Sequence, residues 1–410
     1  MTQDVNDTVA AVWRIESARL IAGLARLVRD VALAEDLAQE ALIAALEQWP
    51  RDGVPDAPGP WLMAVARRRA IDVLRRRDAY STKLLLLHRD AEPPEEDWED
   101  AMDDHIGDDR LRLIFTAAHP SLAVDAQKAL ILRMLCGLTT PEIARAFLIP
   151  EATAAQRIVR AKRTLSEAGV RFEMPTRQES AERLGAVLGV LYLIFNEGYA
   201  AGSGEDWARP ALCQEAMRLG RLLAALLPDD AEVHGLLALM ELQASRLAAR
   251  LDAAGEPVLL PDQDRRRWDR ALIRHGLAAL DRAEELGGGT YTLQAAIAAC
   301  HARAITADRT DWPRIAALYE VLAHVQPTPV VLLNRAVAVG FAGDPARGLR
   351  LADELVTVRA LQAYPQLPGV RAELLERLGR RDEARAEFER AAALSRNAAE
   401  RRLFLRRAAR

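Results

Sequence analysis

The stretch from Leu138 to Leu165 constrains the fold of this chain more than any other part of the sequence. Thr139 and Glu142 have the spacing of a capping box, which satisfies free amides at a helix start, and Pro141 suits the first helical turn. After a short break, a second helical period of apolar residues predicts a buried face made of Ala155, Ile158, Val159 and Leu165. The sequence therefore predicts two helices joined by a tight turn.

The opposite side of the second helix is expected to carry groups that bind bases and phosphates. These groups are Thr153, Gln156, Arg157, Arg160 and Arg163. Arginine pairs with guanine and glutamine with adenine through two hydrogen bonds each, and a threonine hydroxyl suits a phosphate. An ordinary solvated basic face is the alternative interpretation. The cap, turn, apolar period and basic side occur together, however, which favours a helix-turn-helix whose second helix enters a DNA major groove.

A second basic helix is predicted from Trp61 to Arg77, where six arginines surround an apolar face. The loop before it is rich in proline and glycine and has a tryptophan at each edge, Trp49 and Trp61. Stiff loops with aromatic edges can receive an unstacked base, and each arginine that neutralises a phosphate makes binding more salt-dependent. In the alternative interpretation, both tryptophans are core residues of a helical bundle.

The segment from Asp30 to Trp49 predicts a helix with two different faces. One face is apolar. The other holds Asp36, Gln39, Glu40, Ile43 and Glu47. A solvated acidic face is the default interpretation of such a pattern. The apolar Ile43 within an ordered polar set indicates a docking surface for a partner helix.

Composition limits the class of fold. Hydrophobic residues make up 50% of the chain and aromatic residues only 5%, and β-branched runs are scarce, which predicts an all-α protein. The net charge of −4 argues against indiscriminate binding to polyanions, so the clustering of the basic residues is more informative than their number. Three separated cysteines, no signal-peptide pattern and no long apolar run predict a cytoplasmic protein without disulfides, a zinc finger or a membrane span.

The order of these features predicts four segments, which are residues 1–80, 81–107, 108–172 and 173–410. The second is a linker, because eleven carboxylates and no lysine or arginine lie between Asp90 and Asp109, and like charges keep a chain extended. The last is predicted to stack helical hairpins. Gly343 and Gly379 end similar helices 36 positions apart, close to the tetratricopeptide period of about 34 residues.

Two alternative functions belong to different classes of protein. An enzyme is disfavoured because His234, His275 and His301 lie in amphipathic patterns without a partnered nucleophile, and no metalloprotease or phosphate-binding motif occurs. No catalytic residue, metal or cofactor is therefore expected. The other alternative is a helix-turn-helix transcriptional regulator with a tetratricopeptide-like sensor or protein-interaction domain. Such a regulator needs neither the helix at 30–49 nor the basic helix at 61–77.

Three ordered motifs resemble the extracytoplasmic-function (ECF) sigma factors of bacteria: AEDLAQEA from Ala34, WLMAVARRRAIDVLRR from Trp61, and the helix-turn-helix. The resemblance covers about residues 5–172. It implies that sigma domain 2 docks on the β′ coiled coil of core RNA polymerase and melts the minus-ten element. It also implies that sigma domain 4 reads the minus-thirty-five element and contacts the β flap, while the acidic linker threads through the polymerase.

Site residues follow from this resemblance in three sets. Core polymerase is expected to bind Asp36, Gln39, Glu40 and Ile43. The minus-ten strand is expected to contact Trp49, Asp52, Trp61, Arg68, Arg69, Arg75 and Arg76. The minus-thirty-five duplex is expected to contact Thr153, Gln156, Arg157, Arg160 and Arg163. In this family the turn usually has a glycine followed by a serine, where Leu148 and Pro150 stand here.

The remainder resembles a subgroup of these factors that carries a long tetratricopeptide-like C-terminal extension. The motifs behind this resemblance are LIFNEGY from Leu193, DQDRRRW from Asp262, LQAAIAACHA from Leu293 and PVVLLNRAVAV from Pro329. The resemblance implies that the extension influences transcription initiation and that a protein or small molecule regulates it. The partners expected for the whole chain are thus core RNA polymerase, promoter DNA and such a regulator, with no membrane.

Overall fold

The computed structural model describes residues 2–84, 106–147, 149–175, 177–199, 210–252, 256–395 and 397–409. Over these residues the chain is built from α-helices and short 3₁₀ turns, with a single isolated β-bridge between Leu251 and Pro257, which confirms the all-α prediction. Most of the predicted linker, and Leu148 in the predicted turn, lie outside the described residues. In the described part, no helix is long and apolar enough to cross a membrane.

The chain divides into two compact units, Met1–Leu191 and Tyr192–Arg410. The helices that begin in the first unit are α1 (Thr2–Val28), α2 (Val31–Asp52), α3 (Pro58–Leu84), α4 (Ile106–Ala117), α5 (Val124–Met134), α6 (Thr140–Phe147), α7 (Glu151–Glu167) and α8 (Arg177–Tyr199). Helices α1, α2 and α3 contact one another, and so do α5, α6 and α7. The two groups also meet, because α1 contacts α4 and α5 and α2 contacts α7. Segments 1–80 and 108–172 therefore lie in one unit.

Helix α2 shows how the local sequence sets the limits of an element. Its N-cap, Asp30, accepts a hydrogen bond from the amide of Leu33 at 3.1 Å. The helix ends at Gly53, whose φ of +87° is a conformation that favours glycine, and the Gly53 amide donates to the carbonyl of Trp49 at 3.0 Å. The apolar face packs in the core through Ala34, Leu37, Ala38, Ala41, Ala45 and Trp49.

The second unit is a series of helices in which each contacts the next. They are α9 (Pro210–Leu226), α10 (Ala231–Ala244), α11 (Arg270–Glu285), α12 (Thr290–Arg303), α13 (Trp312–Val325), α14 (Pro329–Phe341), α15 (Pro345–Glu354), α16 (Gln366–Arg377), α17 (Arg381–Leu394) and α18 (Ala398–Ala408). The two glycines of the predicted repeat follow the ends of α14 and α16 and have positive φ, +116° at Gly343 and +74° at Gly379. These turns confirm the predicted helical hairpins.

Small residues allow α14 and α15 to approach backbone to backbone. A methyl group placed on Gly348 would lie 2.7 Å from the carbonyl oxygen of Ala336 and 3.0 Å from the Cα of Gly340. One placed on Gly340 would collide with the side chain of Leu374 on α16. Close packing therefore requires glycine at Gly348, where the neighbouring atoms are backbone, whereas at Gly340 the side chain of Leu374 would have to move.

Candidate functional site

The outer face of α2 carries the set expected to bind polymerase. Asp36, Glu40 and Ile43 are exposed, Ile43 by 52%, and Gln39 is half-buried. The sequence pattern assigns Leu46 to the buried face, but 42% of its surface is exposed. Helical spacing places Leu46 beside Ile43, so the exposed apolar patch is larger than predicted. Two aliphatic side chains among carboxylates form a surface suited to a partner helix with an apolar stripe and basic flanks.

The two tryptophans of the loop differ in exposure. Trp49 is only 2% exposed and packs edge-on against Trp61, with ring centroids 5.4 Å apart, whereas Trp61 is half-buried. This burial favours the alternative in which Trp49 is a core residue that supports the loop, while its contact with the minus-ten strand stays a prediction. Asp52 is exposed at the end of α2 and remains in the set.

Helix α3 presents its arginines unevenly. Arg68, Arg75 and Arg76 are exposed. Arg69 is half-buried and its Nη1 lies 2.7 Å from Oε2 of Glu40 on α2. That ion pair is 38% exposed at Arg69 and 52% at Glu40, so water screens it and a competing partner can replace it at little cost. It joins the predicted minus-ten set to the predicted polymerase set.

The capping box predicted at the start of α6 is present. The amide of Glu142 donates to Oγ1 of Thr139 at 3.3 Å, and the amide of Thr139 donates to Oε2 of Glu142 at 2.8 Å. Burial disfavours the charged form of Glu142, but the amide and hydroxyl of Thr139 and the guanidinium of Arg14 stabilise it more, so its pKa is lowered. Pro150 precedes α7, and its carbonyl accepts from the amides of Thr153 and Ala154.

The outer face of α7 is open to solvent. Gln156, Arg160 and Arg163 are exposed, and Thr153 and Arg157 are half-buried. Two of the arginines hold exposed carboxylates: Arg163 pairs with Glu167 at 2.6 Å, and Arg157 lies 3.4 Å from Asp125. Such pairs contribute little to stability, so DNA phosphates can displace them.

The buried face of α7 differs from the prediction at two positions, because Ala155 is half-buried and Val159 is exposed. Ala154, Ile158, Ala161 and Leu165 are buried. Val159, which the apolar period places inside, is 60% exposed and lies beside Arg160. Val159 therefore adds an exposed apolar group to the basic face of α7, and in DNA-reading helices such groups contact thymine methyl groups.

Four charged side chains join α2, α5 and α7, and we call them the α2–α7 junction. Glu35 is only 2% exposed; its Oε1 accepts from Nε of Arg133 at 2.9 Å and its Oε2 accepts from Nζ of Lys162 at 2.8 Å. Nζ of Lys162 also donates to Oδ1 of Asp36 at 2.5 Å. Burial alone would lower the pKa of Lys162, but the attraction and hydrogen bonds of Glu35 and Asp36 outweigh it and raise that pKa.

Further contacts join the two helical groups of the first unit. Asp109 on α4 is 4% exposed and lies 2.7 Å from Arg112 and 3.6 Å from Arg26 of α1. Gly137, with φ of +66°, sits so close to α1 that a methyl group there would lie 2.7 Å from Oγ of Ser17. This glycine is therefore needed both for its backbone conformation and for its size.

The sequence motifs do not reveal the junction, although one signal of it is present in the sequence. Glu35 stands next to Ala34 on the face of α2 that also carries Val31, Ala38 and Ala41, where an apolar residue is expected. A carboxylate in a buried register requires a cation or several donors as partners. The partners, Arg133 and Lys162, are 98 and 127 positions away, so no local pattern could identify them.

The second unit contains a cavity of about 770 Å³ lined mainly by apolar and aromatic side chains, among them Leu260, Trp312, Phe341, Val370 and Phe404. Arg265, which is 7% exposed, borders it. The guanidinium of Arg265 donates to the carbonyls of His301 and Ala304 at 2.5 and 2.9 Å and so caps the end of α12. Part of the DQDRRRW motif thus has a structural role.

The geometry defines a helical protein with two helices that expose basic side chains, an acidic helix with an exposed apolar patch, and a helical extension. Comparison with known proteins agrees. Residues 15–80 match the family profile described as Sigma-70 region 2, and residues 112–165 match the profile described as Sigma-70, region 4. Residues 183–284 match a family of unknown function (DUF6596).

Over 382 residues the chain is 46% identical to uncharacterized protein R00370 of Rhizobium meliloti (strain 1021). The aligned region covers 92% of this chain and 89% of that protein. No solved structure matches the chain. The chain belongs to the sigma-70 family: it is an RNA polymerase sigma factor of the ECF type with a helical C-terminal extension. Factors of this family regulate transcription and are not enzymes.

Proposed function

We propose that α2 binds core RNA polymerase through Asp36, Gln39, Glu40 and Ile43, with Leu46 as an additional apolar contact. The observation that supports this role is the exposure of Ile43 and Leu46, at 52% and 42%, on a helix whose other face is buried. Exposed aliphatic side chains at the centre of a polar surface are typical of protein interfaces. The carboxylates around them favour a partner with basic side chains, which guide association.

Promoter melting is assigned to the loop and basic helix that follow α2. The residues are Asp52, Trp61, Arg68, Arg69, Arg75 and Arg76; Trp49 supports them from the core. Arg68, Arg75 and Arg76 are exposed and can neutralise phosphates of a separated strand. The half-buried Trp61 offers an aromatic edge to an unstacked base. Arg69 would exchange Glu40 for a phosphate.

The minus-thirty-five duplex is assigned to α7 through Thr153, Gln156, Arg157, Arg160 and Arg163. This assignment is supported by the solvent exposure of Gln156 and Arg160 beside an otherwise buried apolar face.

Together these assignments describe a factor that acts in the cytoplasm. It brings core polymerase to a promoter, opens the promoter DNA and is then released. Because the polymerase forms the RNA bonds, no covalent chemistry of the factor itself is needed. The alternative, a helix-turn-helix transcriptional regulator, would give no function to the exposed surfaces of α2 and α3.

The extension is proposed to regulate initiation and to bind an effector in its cavity. The volume of about 770 Å³ is in the range of sites for small ligands, and the apolar and aromatic lining is typical of them. The boundary of the compact units at Leu191 also supports a function separate from that of the first unit. We further propose that regions 1–80 and 108–172 are distinct sigma domains, since two family profiles match them separately.

Run-off transcription with purified sigma-free core polymerase tests these proposals together. The full chain should start RNA synthesis at a defined promoter without another sigma factor, which a simple regulator cannot do. Replacing Arg157 and Arg160 with alanine should weaken promoter binding by about 1–3 kcal/mol for each base-specific pairing that the substitution removes. Arg171→Ala is the matched control, because Arg171 is 81% exposed and lies outside the assigned sets.

A chain ending at Met174 adds the test of the extension. It should transcribe with a different rate or promoter choice from the full chain. Equal rates and identical promoter choice would rule out a regulatory role of the extension. Full promoter binding by the Arg157 and Arg160 variant would rule out the assignment of α7.

A further inference from the structure

Three sequence motifs of the extension meet at its cavity of about 770 Å³. Asp262 and Arg265 of DQDRRRW, His301 of LQAAIAACHA and Val337 of PVVLLNRAVAV all line it, and every lining residue belongs to the second unit. We propose that this cavity binds a planar aromatic carboxylate, with Arg265 as the counter-ion of its carboxyl group. The inference rests on the proposed effector-binding function of the extension and names the chemical class of that effector.

One wall of the cavity is a series of flat groups in contact. The imidazole of His301 packs edge-on against Trp312, with ring centroids 5.3 Å apart, and Trp312 packs against Phe341 at 4.5 Å. The guanidinium of Arg377 lies over the ring of Phe341 at 3.5 Å. All four side chains line the cavity. Such π surfaces attract other aromatic rings through stacked and edge contacts, so the wall favours a planar aromatic ligand.

The last helix of the chain supplies another wall. Phe404 of α18 lines the cavity and is only 8% exposed. Arg402 and Arg406 of the same helix donate to Oε1 and Oε2 of Glu256 at 2.9 and 2.7 Å. These two ion pairs hold α18 against the loop that precedes the DQDRRRW motif. The cavity is therefore formed by elements from distant parts of the extension, and its apolar walls exclude water from a bound ligand.

Arg265 is a buried cation, and among the described residues no carboxylate forms an ion pair with it. Its guanidinium donates to the carbonyls of His301 and Ala304 and to Oγ1 of Thr310, at 2.5, 2.9 and 3.3 Å. A guanidinium has five N–H donors, so two are left, one of them on the buried Nε. Burial and repulsion from neighbouring arginines lower the pKa of Arg265. A buried charge is stabilised by an opposite charge in contact, which an anionic ligand would supply.

The other charged groups of the lining have partners or face water. Arg407 binds Glu373 at 2.7 Å and also binds Glu376, and Arg377 lies 3.5 Å from Glu373. The two aspartates of the lining are exposed. Within the described lining, Arg265 is thus the cation that lacks a carboxylate. It matches the single charge of a carboxylate better than the charge near −2 of a phosphate monoester.

A matched pair of small molecules tests the chemical class on the unaltered full chain. The probes are 2-naphthoate and 2-naphthamide, which share an aromatic body and differ in charge. Isothermal titration calorimetry should show that the full chain binds naphthoate at least about tenfold more tightly than naphthamide, because a hydrogen bond to a charged group contributes more than one between neutral groups. Equal affinities, or no binding of naphthoate, would overturn the proposal.

A substitution tests the assignment of Arg265. Arg265→Met removes the charge and keeps an unbranched side chain, and Arg266→Met is the matched control because Arg266 is 91% exposed in the same motif. Since Arg265 also caps α12, naphthamide reports whether the site is still folded. Arg265→Met should bind naphthamide like the wild type and lose the preference for naphthoate, whereas Arg266→Met should keep that preference. A preference that persists without Arg265 would refute its role.

A photoreactive probe locates the site without any substitution. The probe is 4-benzoylbenzoate, an aromatic carboxylate that reacts with nearby C–H groups when it is irradiated. Mass spectrometry of the labelled full chain should find the label in residues 259–265, 301–312 or 366–377, which contribute to the lining. An excess of 2-naphthoate should suppress this labelling. Labels confined to other segments would place the binding outside the cavity and overturn the proposal.

These measurements use no polymerase, so their failure differs from a failure of the proposed function. If naphthoate binds as expected but a chain ending at Met174 transcribes like the full chain, the ligand site stands and the regulatory role of the extension has failed. If the shortened chain transcribes differently but naphthoate does not bind, the regulatory role stands and the proposed ligand class is overturned.

Discussion

The contact between α2 and α7 and the contacts within the extension are built from different chemistry. In the first unit, Glu35 at 2% exposure meets Arg133 and Lys162. In the extension, α14, α15 and α16 meet through an apolar cluster that includes Leu333, Leu349 and Leu374, with exposures of 1%, 5% and 0%. One contact is held by buried charge, the other by excluded water.

The difference bears on which contacts can be exchanged. Separated apolar faces stay exposed to water until they meet again, and the free-energy cost is proportional to the area. Separated ionic partners are rehydrated or find other charges, so a protein or nucleic acid with the right charges can replace one of them. The ionic contact suits a surface that must change partners, and the apolar contacts suit a scaffold that must keep its form.

The largest effect is expected at the buried carboxylate. Glu35→Ala leaves Arg133 and Lys162 facing each other without a counter-ion, so the junction should lose about 3–5 kcal/mol. Hydrogen exchange should accelerate in peptides from α2 and α7 and stay unchanged in α14–α16. Glu40→Ala, at an exposed pair, is the control and should lose less than about 1 kcal/mol. Equal losses of stability from the two substitutions would contradict the claim that the buried charge contributes more than the exposed pair.

A comparable loss is expected for Leu374→Ala, but with a different response to salt. Removing a fully buried leucine leaves a cavity and costs about 2–5 kcal/mol in the stability of the extension. Because no charge is involved, the loss should be the same at about 0.1 and 1 M salt, whereas the junction should weaken as the Debye length falls from about 10 to 3 Å. Urea denaturation at both salt concentrations, with the half-exposed Leu405→Ala as control, measures this. A salt-dependent loss at Leu374 would contradict the apolar account.

Changes of pH are expected to act with opposite signs in the two regions. Burial, aided by repulsion from Arg246 and Arg265, lowers the pKa of His301 from 6.5 to about 3. Between pH 6.5 and 3, His301 therefore binds a proton in the unfolded chain but not in the folded extension. The free energy of unfolding of the extension falls as pH falls through this range. The raised pKa of Lys162 means that its contribution is complete below 10.5 and is lost as pH rises through the raised value.

Urea midpoints measured across about pH 4–11 give a curve of stability against pH, in which the loss at low pH is the acid limb and the loss at high pH is the alkaline limb. His301→Gln should flatten the acid limb alone, and Lys162→Gln the alkaline limb alone. An acid limb that persists in full without His301 would show that another group, and not this imidazole, is responsible.

Much of the fold was predictable because its signals are local. The signals for the Thr139 and Glu142 cap, for the start of α2 at Asp30, and for the turns at Gly343 and Gly379 lie within a few positions of one another. Sequence could also identify the candidate DNA-facing set on α7, since helical spacing collects Gln156, Arg160 and Arg163 on one side.

The exposures that differ from expectation lie where burial depends on another helix. Trp49 is expected at the DNA surface but packs edge-on against Trp61. Val159 and Leu46 are expected inside but are exposed, because the neighbouring helices cover a narrower face of α7 and α2 than the apolar pattern suggests. The junction itself joins side chains 98 and 127 positions apart, and only the folded chain brings them together.

The backbone contact between α14 and α15 has a geometric consequence for the whole extension. At Gly348 the two backbones are so close that an added methyl group would lie 3.0 Å from the Cα of Gly340, and Leu374 of the next helix packs against Gly340. A single added methyl group there would wedge the pair apart by a small angle. Each later helix contacts the one before it, so the change of angle would displace all the helices that follow. The displacement would be largest at the C-terminal helix.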